Sequence, residues 1–183
     1  MTPAKKRRNA WIAALLIGSP LLWIIPTALY LRAQTQSNNE SCERHLKVLG
    51  VKLLMEYPAN HAGRLPDSKN WIAAVEKYGY DNFRCHADAD RQHTSSYAMN
   101  ADLSGRAIST IKNPSQVILI YETTSKAKTP FGVGKDLVAK GQPDMGQGRH
   151  HTIGHRFNFF LLADGTVRRA GTAKEMKTLR WTP

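Results

Sequence analysis

Between residues 10 and 31 the chain reads AWIAALLIGSPLLWIIPTALYL, 22 residues without one charged side chain. A helix of that length, rising about 1.5 Å per residue, covers the roughly 30 Å hydrocarbon core of a bilayer. Lys5, Lys6, Arg7 and Arg8 precede the run and Arg32 closes it. Four cations against one place the N-terminus in the cytoplasm and the rest of the chain across the membrane. Trp11 and Tyr30 stand near the two ends, where amphipathic rings favour the interface, with Trp23 inside the run. Gly18, Pro20 and Pro26 would be costly in a soluble helix but are tolerated in membrane helices. A core helix of a soluble protein would be apolar on one face only. A cleavable signal would carry a shorter apolar region and a small-x-small site, which Tyr30-Leu31-Arg32-Ala33 does not supply. The expected division is a basic tail over 1–9, a transmembrane helix over 10–31 and an extracytoplasmic domain over 32–183.

About 150 residues remain for that domain, enough for one globular unit with a real core. The net charge of +12 overstates its basicity, because five of the 26 Lys and Arg and none of the 14 Asp and Glu lie at or before Arg32. The domain itself carries +7. Outside the N-terminus there is no dense Lys/Arg cluster with interleaved aromatics, so the pattern favours a lipid surface or a protein partner and argues against nucleic acid. Cys42 and Cys85 are the two cysteines, both beyond the apolar run. In an oxidising compartment they are natural disulfide partners, closing a loop worth roughly 4 kcal/mol in the chain-entropy treatment. Two separate buried thiols are the other reading. A zinc site is disfavoured because neither has a CxxC partner.

Cys42, Leu46, Leu49, Leu53 and Tyr57 recur at spacings of four, three, four and four, one face of a helix that Pro58 should stop. The apolar run and this amphipathic stretch together predict one long helix of nearly 50 residues. A loop with Asn60, Gly63 and Pro66 follows, then a short helix over 71–78 capped by Asp67 or Ser68 and ended by Gly79. Residues 86–90 read as exposed connection. Strands are expected at 95–100 and at 116–122, the latter β-branched enough for a central strand. Residues 123–150 are rich in Gly, Lys and Pro without periodicity, a loop length that is often functional or dependent on a partner for order. Residues 156–163 meet 166–169 across Asp164-Gly165, a hairpin signal in which both central positions would take positive φ. Thr172 and Glu175 match a capping box opening a helix over 175–180.

A membrane helix running into an amphipathic helix and then a small antiparallel sheet is similar to the architecture of type IV pilins and type II secretion pseudopilins. More specifically, residues 42–169 resemble the bacterial prepilin-type processing-associated H-x9-DG proteins. The resemblance rests on Cys42, His45-Leu46-Lys47, Leu49-Gly50, Tyr57, His61, Gly63-Arg64-Leu65-Pro66, Trp71 and Cys85. It continues through Ser96-Tyr97-Ala98-Met99-Asn100, Leu103, Gly105, Pro114, Glu122, Arg149-His150 and the run from Asn158 to Gly165. It implies an α+β pilin-like fold, with a long amphipathic helix packed on a small antiparallel sheet, and a place in a bacterial inner membrane with the domain in the periplasm. Several departures matter. Arg8-Asn9-Ala10-Trp11-Ile12 lacks the Gly at which a prepilin leader is cut, and the apolar run lacks the Glu through which pilin subunits pair inside the membrane. Cys85 is followed by His86 rather than Pro, and His150, His151 and His155 precede Asp164 at spacings other than nine. The chain is therefore expected to be neither processed as a prepilin nor readily polymerised.

Glu122, His150, His151, His155 and Asp164 form the one cluster with chemistry in prospect. Imidazoles and carboxylates meeting at a sheet edge suit Zn²⁺ or another divalent ion, and carboxylates with backbone carbonyls suit Ca²⁺. The plainer reading makes Asp164 a turn residue, Glu122 a solvated strand end and the histidines loop residues, with no cofactor. No nucleophile elbow, phosphate-binding glycine loop or HExxH occurs, so no enzyme activity is expected. The expected function is that of a non-catalytic, single-pass accessory or structural subunit of a larger membrane complex, with the bilayer and other subunits as partners. Gly18 and Ala13-Ala14 offer small residues for packing against other transmembrane helices. A pseudopilin-like component of a secretion or pilus system is one alternative, and a metal- or ligand-binding periplasmic domain is another.

Overall fold

The computed structural model describes the backbone of residues 3–88, 94–132, 148–152 and 154–183, and within these the side chains from residue 24 onwards. It is a mixed α+β structure made of two compact units, Met1–Ser37 and Asn38–Pro183. The first helix, α1, is Pro3–Val51. The side chains of Trp11, Gly18, Pro20 and Trp23 lie outside the described residues. Among those described, Pro26 is exposed, and Ile24, Ile25, Leu29, Tyr30 and Leu31 are each between 58% and 66% exposed. Among the described residues, no helix is long and apolar enough to cross a membrane, and residues 10–23 of the apolar run fall outside that statement.

In the second unit, α1 ends as the amphipathic pattern requires, with Cys42, Leu46 and Leu49 fully buried. Pro58 stands in the last turn of the helix, which ends at Ala59 as the sequence leads one to expect to within a residue. Its ring would collide with the carbonyl four residues back and it has no N–H to give. The backbone instead widens into a π-turn over Lys52–Glu56, closed by Tyr57 N–H donating to the Lys52 carbonyl, and α2 (Tyr57–Ala59) carries Pro58 before the chain leaves. The short helix α3 is Trp71–Glu76. Its N-cap is Asn70, without a side-chain cap, rather than Asp67 or Ser68. Asp67 Oδ1 instead accepts from the Lys69 N–H at 2.8 Å, which forms the turn before it.

Six strands form the sheet among the described residues: β1 (Tyr97–Asn100), β2 (Ile118–Glu122), β3 (Phe131–Gly132), β4 (His150–Thr152), β5 (His155–Leu162) and β6 (Val167–Ala170). β3, β1, β2 and β5 pair in that order, β4 and β6 also pair with β5, and only the β1–β3 pair is parallel. The β-branched run is indeed central, with every residue of β2 buried between β1 and β5. The parallel strand β3 falls in a stretch read as loop from sequence, and the middle of that loop, residues 133–147, lies outside the described residues.

Alternation along β5 sends Phe157, Phe159 and Leu161 to one face and Phe160 and Leu162 to the other. The first face packs on Cys42, Leu46, Leu49 and Leu53 of the helical layer and on Trp71 and Val75 of α3. Trp71 also donates its indole N–H to the Pro130 carbonyl at 2.8 Å. The second face is covered by the C-terminal segment, where Leu179, Met176 and Trp181 pack over Tyr121 and Ile118. Asn100 ties this segment down, its Nδ2 donating to the Ile118 and Trp181 carbonyls at 2.7 Å each. The terminal helix α4, Ala173–Met176, starts two residues earlier than expected, though Thr172 and Glu175 do form the capping box.

The β5–β6 hairpin differs from the two-residue form. Gly165 alone has positive φ (+86°), and its N–H donates to the Leu162 carbonyl at 3.0 Å. This makes a three-residue loop, in which a turn over Ala163-Asp164 is followed by a left-handed glycine. Asp164 Oδ1 accepts from both Thr166 N and Thr166 Oγ1, at 2.9 and 2.7 Å.

Candidate functional site: a buried His–Glu pair beside the disulfide

Two strands share one edge of β5. β2 pairs with it through Tyr121↔Phe160, and β4 pairs with it through His150↔Phe157. The site lies where the first partner ends and the second begins. Glu122, the last residue of β2, and His150, the first of β4, are both buried, and His150 Nε2 stands 2.7 Å from Glu122 Oε1. The second carboxylate oxygen accepts from the Phe159 N–H at 2.9 Å. The rings of Phe157 and Phe159 pack against the imidazole, with centroids 5.6 and 4.6 Å away.

The other ring nitrogen fixes the tautomer. His150 Nδ1 lies 2.8 Å from Asn39 Oδ1, and Asn39 Nδ2 donates to the His151 carbonyl at 3.2 Å. The amide is thereby oriented with its oxygen toward the ring, so Nδ1 carries a hydrogen and donates. Nε2 and Glu122 Oε1 then hold one proton between them. A buried carboxylate without such partners would be strongly disfavoured.

Arg149 closes the cluster. Its guanidinium donates to the Ser96 and Thr123 carbonyls at 3.0 and 2.7 Å, and it lies 3.1 Å from Asp88 Oδ2 and 3.9 Å from Glu122 Oε1. Ser96 Oγ donates to the same Asp88 oxygen at 2.6 Å. Tyr97 is packed nearby and fully buried. Burial first, then the charge of Glu122, pushes its phenol well above the usual range, and its hydroxyl has no hydrogen-bond partner among the described residues.

The disulfide forms one wall. Cys42 and Cys85 are bonded, with Cα atoms 5.0 Å apart, and Cys85 Sγ lies 3.4 Å from His150 Nε2. The Cys85 N–H donates to Ser96 Oγ, and the His86 N–H donates to Cys42 Sγ. Among the described residues, the group whose donor atoms converge is Cys42, Cys85 and His150, all within 4.8 Å of one another.

Of the five residues singled out from sequence as a metal set, the structure brings Glu122 and His150 together. His151 is exposed, His155 stands 3.8 Å from Glu175 at the surface, and Asp164 is engaged by Thr166 in its turn. Glu122 is a buried partner rather than a solvated strand end. Sequence reading did not connect Asn39, Asp88 or Ser96 to the site. Asn39 carried a usable signal, since it precedes Cys42 by three residues and so continues the buried face of α1.

Comparison with protein-family models, with curated proteins and with solved structures finds no match to the chain.

Proposed function

We propose that the chain is a non-catalytic, single-pass membrane protein that holds an α+β domain permanently at the periplasmic face of a bacterial inner membrane, as an accessory or structural subunit of a larger complex. The observation that carries this reading is the charge-free run over 10–31 between four cations and Arg32, whose described part, residues 24–31, leaves five large apolar side chains more than half exposed. A contiguous apolar surface of that kind calls for lipid or protein cover. The Cys42–Cys85 disulfide suits an oxidising compartment beyond the membrane. The likeness of residues 42–169 to the H-x9-DG proteins supports a pilin-like role, and the missing cleavage Gly and intramembrane Glu favour a fixed anchor over a polymerising subunit.

Cell fractionation with mass spectrometry of the mature N-terminus tests this reading. An intact basic tail on a membrane-bound chain is the expected result. Cleavage near Ala10 would replace it with a processed pseudopilin, and recovery in the fraction free of membranes would remove the anchor altogether.

A further inference from the structure

We propose that the dithiol form of this chain binds one zinc ion through Cys42, Cys85 and His150, at the place where the oxidised form holds its disulfide. The inference goes beyond the anchoring role and does not depend on it. In a tetrahedral site with Zn–S about 2.3 Å and Zn–N about 2.0–2.1 Å, a sulfur and a nitrogen stand about 3.6 Å apart and two sulfurs about 3.8 Å. Cys85 Sγ and His150 Nε2 are already 3.4 Å apart, and both sulfurs and Nε2 fall within 4.8 Å of one another. Once the S–S bond opens, each sulfur needs only a side-chain adjustment to reach the corner of a tetrahedron. Glu122 Oε1, 2.7 Å from Nε2, lies outside this converging group; it gives up its contact with the nitrogen to the metal, and a water takes the fourth corner.

The surrounding residues meet two further demands. A metal-bound histidine donates its other N–H to an oxygen acceptor. Asn39 Oδ1 accepts from Nδ1 at 2.8 Å and is itself oriented by the His151 carbonyl, so the Nε2 lone pair is directed into the site. Two thiolates neutralise Zn²⁺, and the Arg149 guanidinium beside the site is matched by Asp88 Oδ2 at 3.1 Å, so the buried site gains no net charge. Thiolate and imidazole donors together select zinc over magnesium or calcium.

The chemistry balances with a dithiol reductant. It gives two electrons and two protons, becoming a disulfide itself, and the Cys42–Cys85 bond becomes two thiols. Zinc then displaces both thiol protons to solvent, and the proton held between His150 and Glu122 stays on the Glu122 carboxyl, which frees Nε2 for the metal.

The test uses the purified full chain in mild detergent, reduced with a dithiol, gel-filtered under argon and titrated with Co²⁺ and then Zn²⁺. One equivalent of Co²⁺ should produce a thiolate-to-cobalt charge-transfer band with the intense visible bands of tetrahedral coordination, and zinc should bleach both. The oxidised chain should give neither. Asn39→Ala, a change at a half-buried position, should weaken zinc by about ten- to a hundredfold while leaving the oxidised fold intact. His150→Ala should abolish stoichiometric binding, and X-ray absorption on the zinc form should count two sulfur neighbours. If the reduced chain loses its structure, zinc should restore it. The proposal is overturned by a reduced chain without a thiolate band, by a band indifferent to both substitutions, by four sulfurs on the metal, or by unfolding that zinc does not reverse.

Discussion

Removing the disulfide with Cys42→Ala and Cys85→Ala together should cost a large share of the domain's stability. The bond joins residues 43 apart in sequence. For a loop of that size the chain-entropy treatment assigns the denatured state a loss of about 13 cal/mol/K, which is about 4 kcal/mol at room temperature. Both cysteines are buried, so deleting two sulfur atoms forfeits contacts worth about 1 kcal/mol each. The sum, about 5–6 kcal/mol, compares with total stabilities of about 5–15 kcal/mol for ordinary domains. The two contributions separate experimentally. Freeing the denatured chain exposes more surface on unfolding, so the urea slope should rise along with the fall in midpoint, whereas a cavity lowers the midpoint alone. Urea unfolding of the full chain in mild detergent, followed by near-ultraviolet circular dichroism, reads both. A double variant within about 1 kcal/mol of the parent, with an unchanged slope, would refute the claim that this bond constrains the domain.

Four further outcomes follow from the geometry. Glu122→Ala strips the partner from His150, the Phe159 N–H and one side of Arg149, and should cost about 3–5 kcal/mol in the same assay; a loss under about 1 kcal/mol would show that the cluster is not coupled. Gly171→Ala drives a Cβ into the Arg156 carbonyl oxygen and should cost on the order of 3 kcal/mol, and a neutral result would contradict the placement of this backbone. Tyr97→Phe removes a buried hydroxyl that has no partner among the described residues, so its midpoint should be unchanged or higher; a loss above about 1 kcal/mol would reveal a partner. Glu175 is held down to about 2 by the Gly171 and Thr172 N–H groups and then the Thr172 hydroxyl. Because the folded value is depressed, its contribution is complete above the ordinary 4.5 and disappears as pH falls toward about 2. Carboxyl NMR should find that low midpoint, and an ordinary one would mean that the capping box does not form in solution.

The helical face and the central strand were legible because burial writes a period directly into the residues. Cys42, Leu46 and Leu49 repeat at helical spacing, and residues 117–121 form an unbroken apolar run that only a two-sided layer can use. The disulfide was legible by count. Pro58 marked the helix end to within a residue, but nothing local foretold the π-turn that accommodates it. The hairpin misled in detail, since Asp-Gly serves a three-residue loop as readily as a two-residue one. The site was half legible. Glu122 and His150 were marked as a pair of types, but their meeting depends on β2 and β4 sharing one edge of β5, a pairing across a long connection that leaves no periodic trace. His151, His155 and Asp164 looked equivalent to His150 in sequence, and only the register of β4 sends one imidazole inward.

The most direct test of the anchoring account is protease treatment of bacterial spheroplasts carrying the full chain with an epitope on each terminus. The account predicts that the C-terminal epitope is lost from intact spheroplasts while an N-terminal fragment, still bearing residues 1–9 and its epitope, survives in the membrane until the cells are lysed. Protection of the C-terminal epitope in intact spheroplasts, or release of the whole chain without membrane, would contradict it.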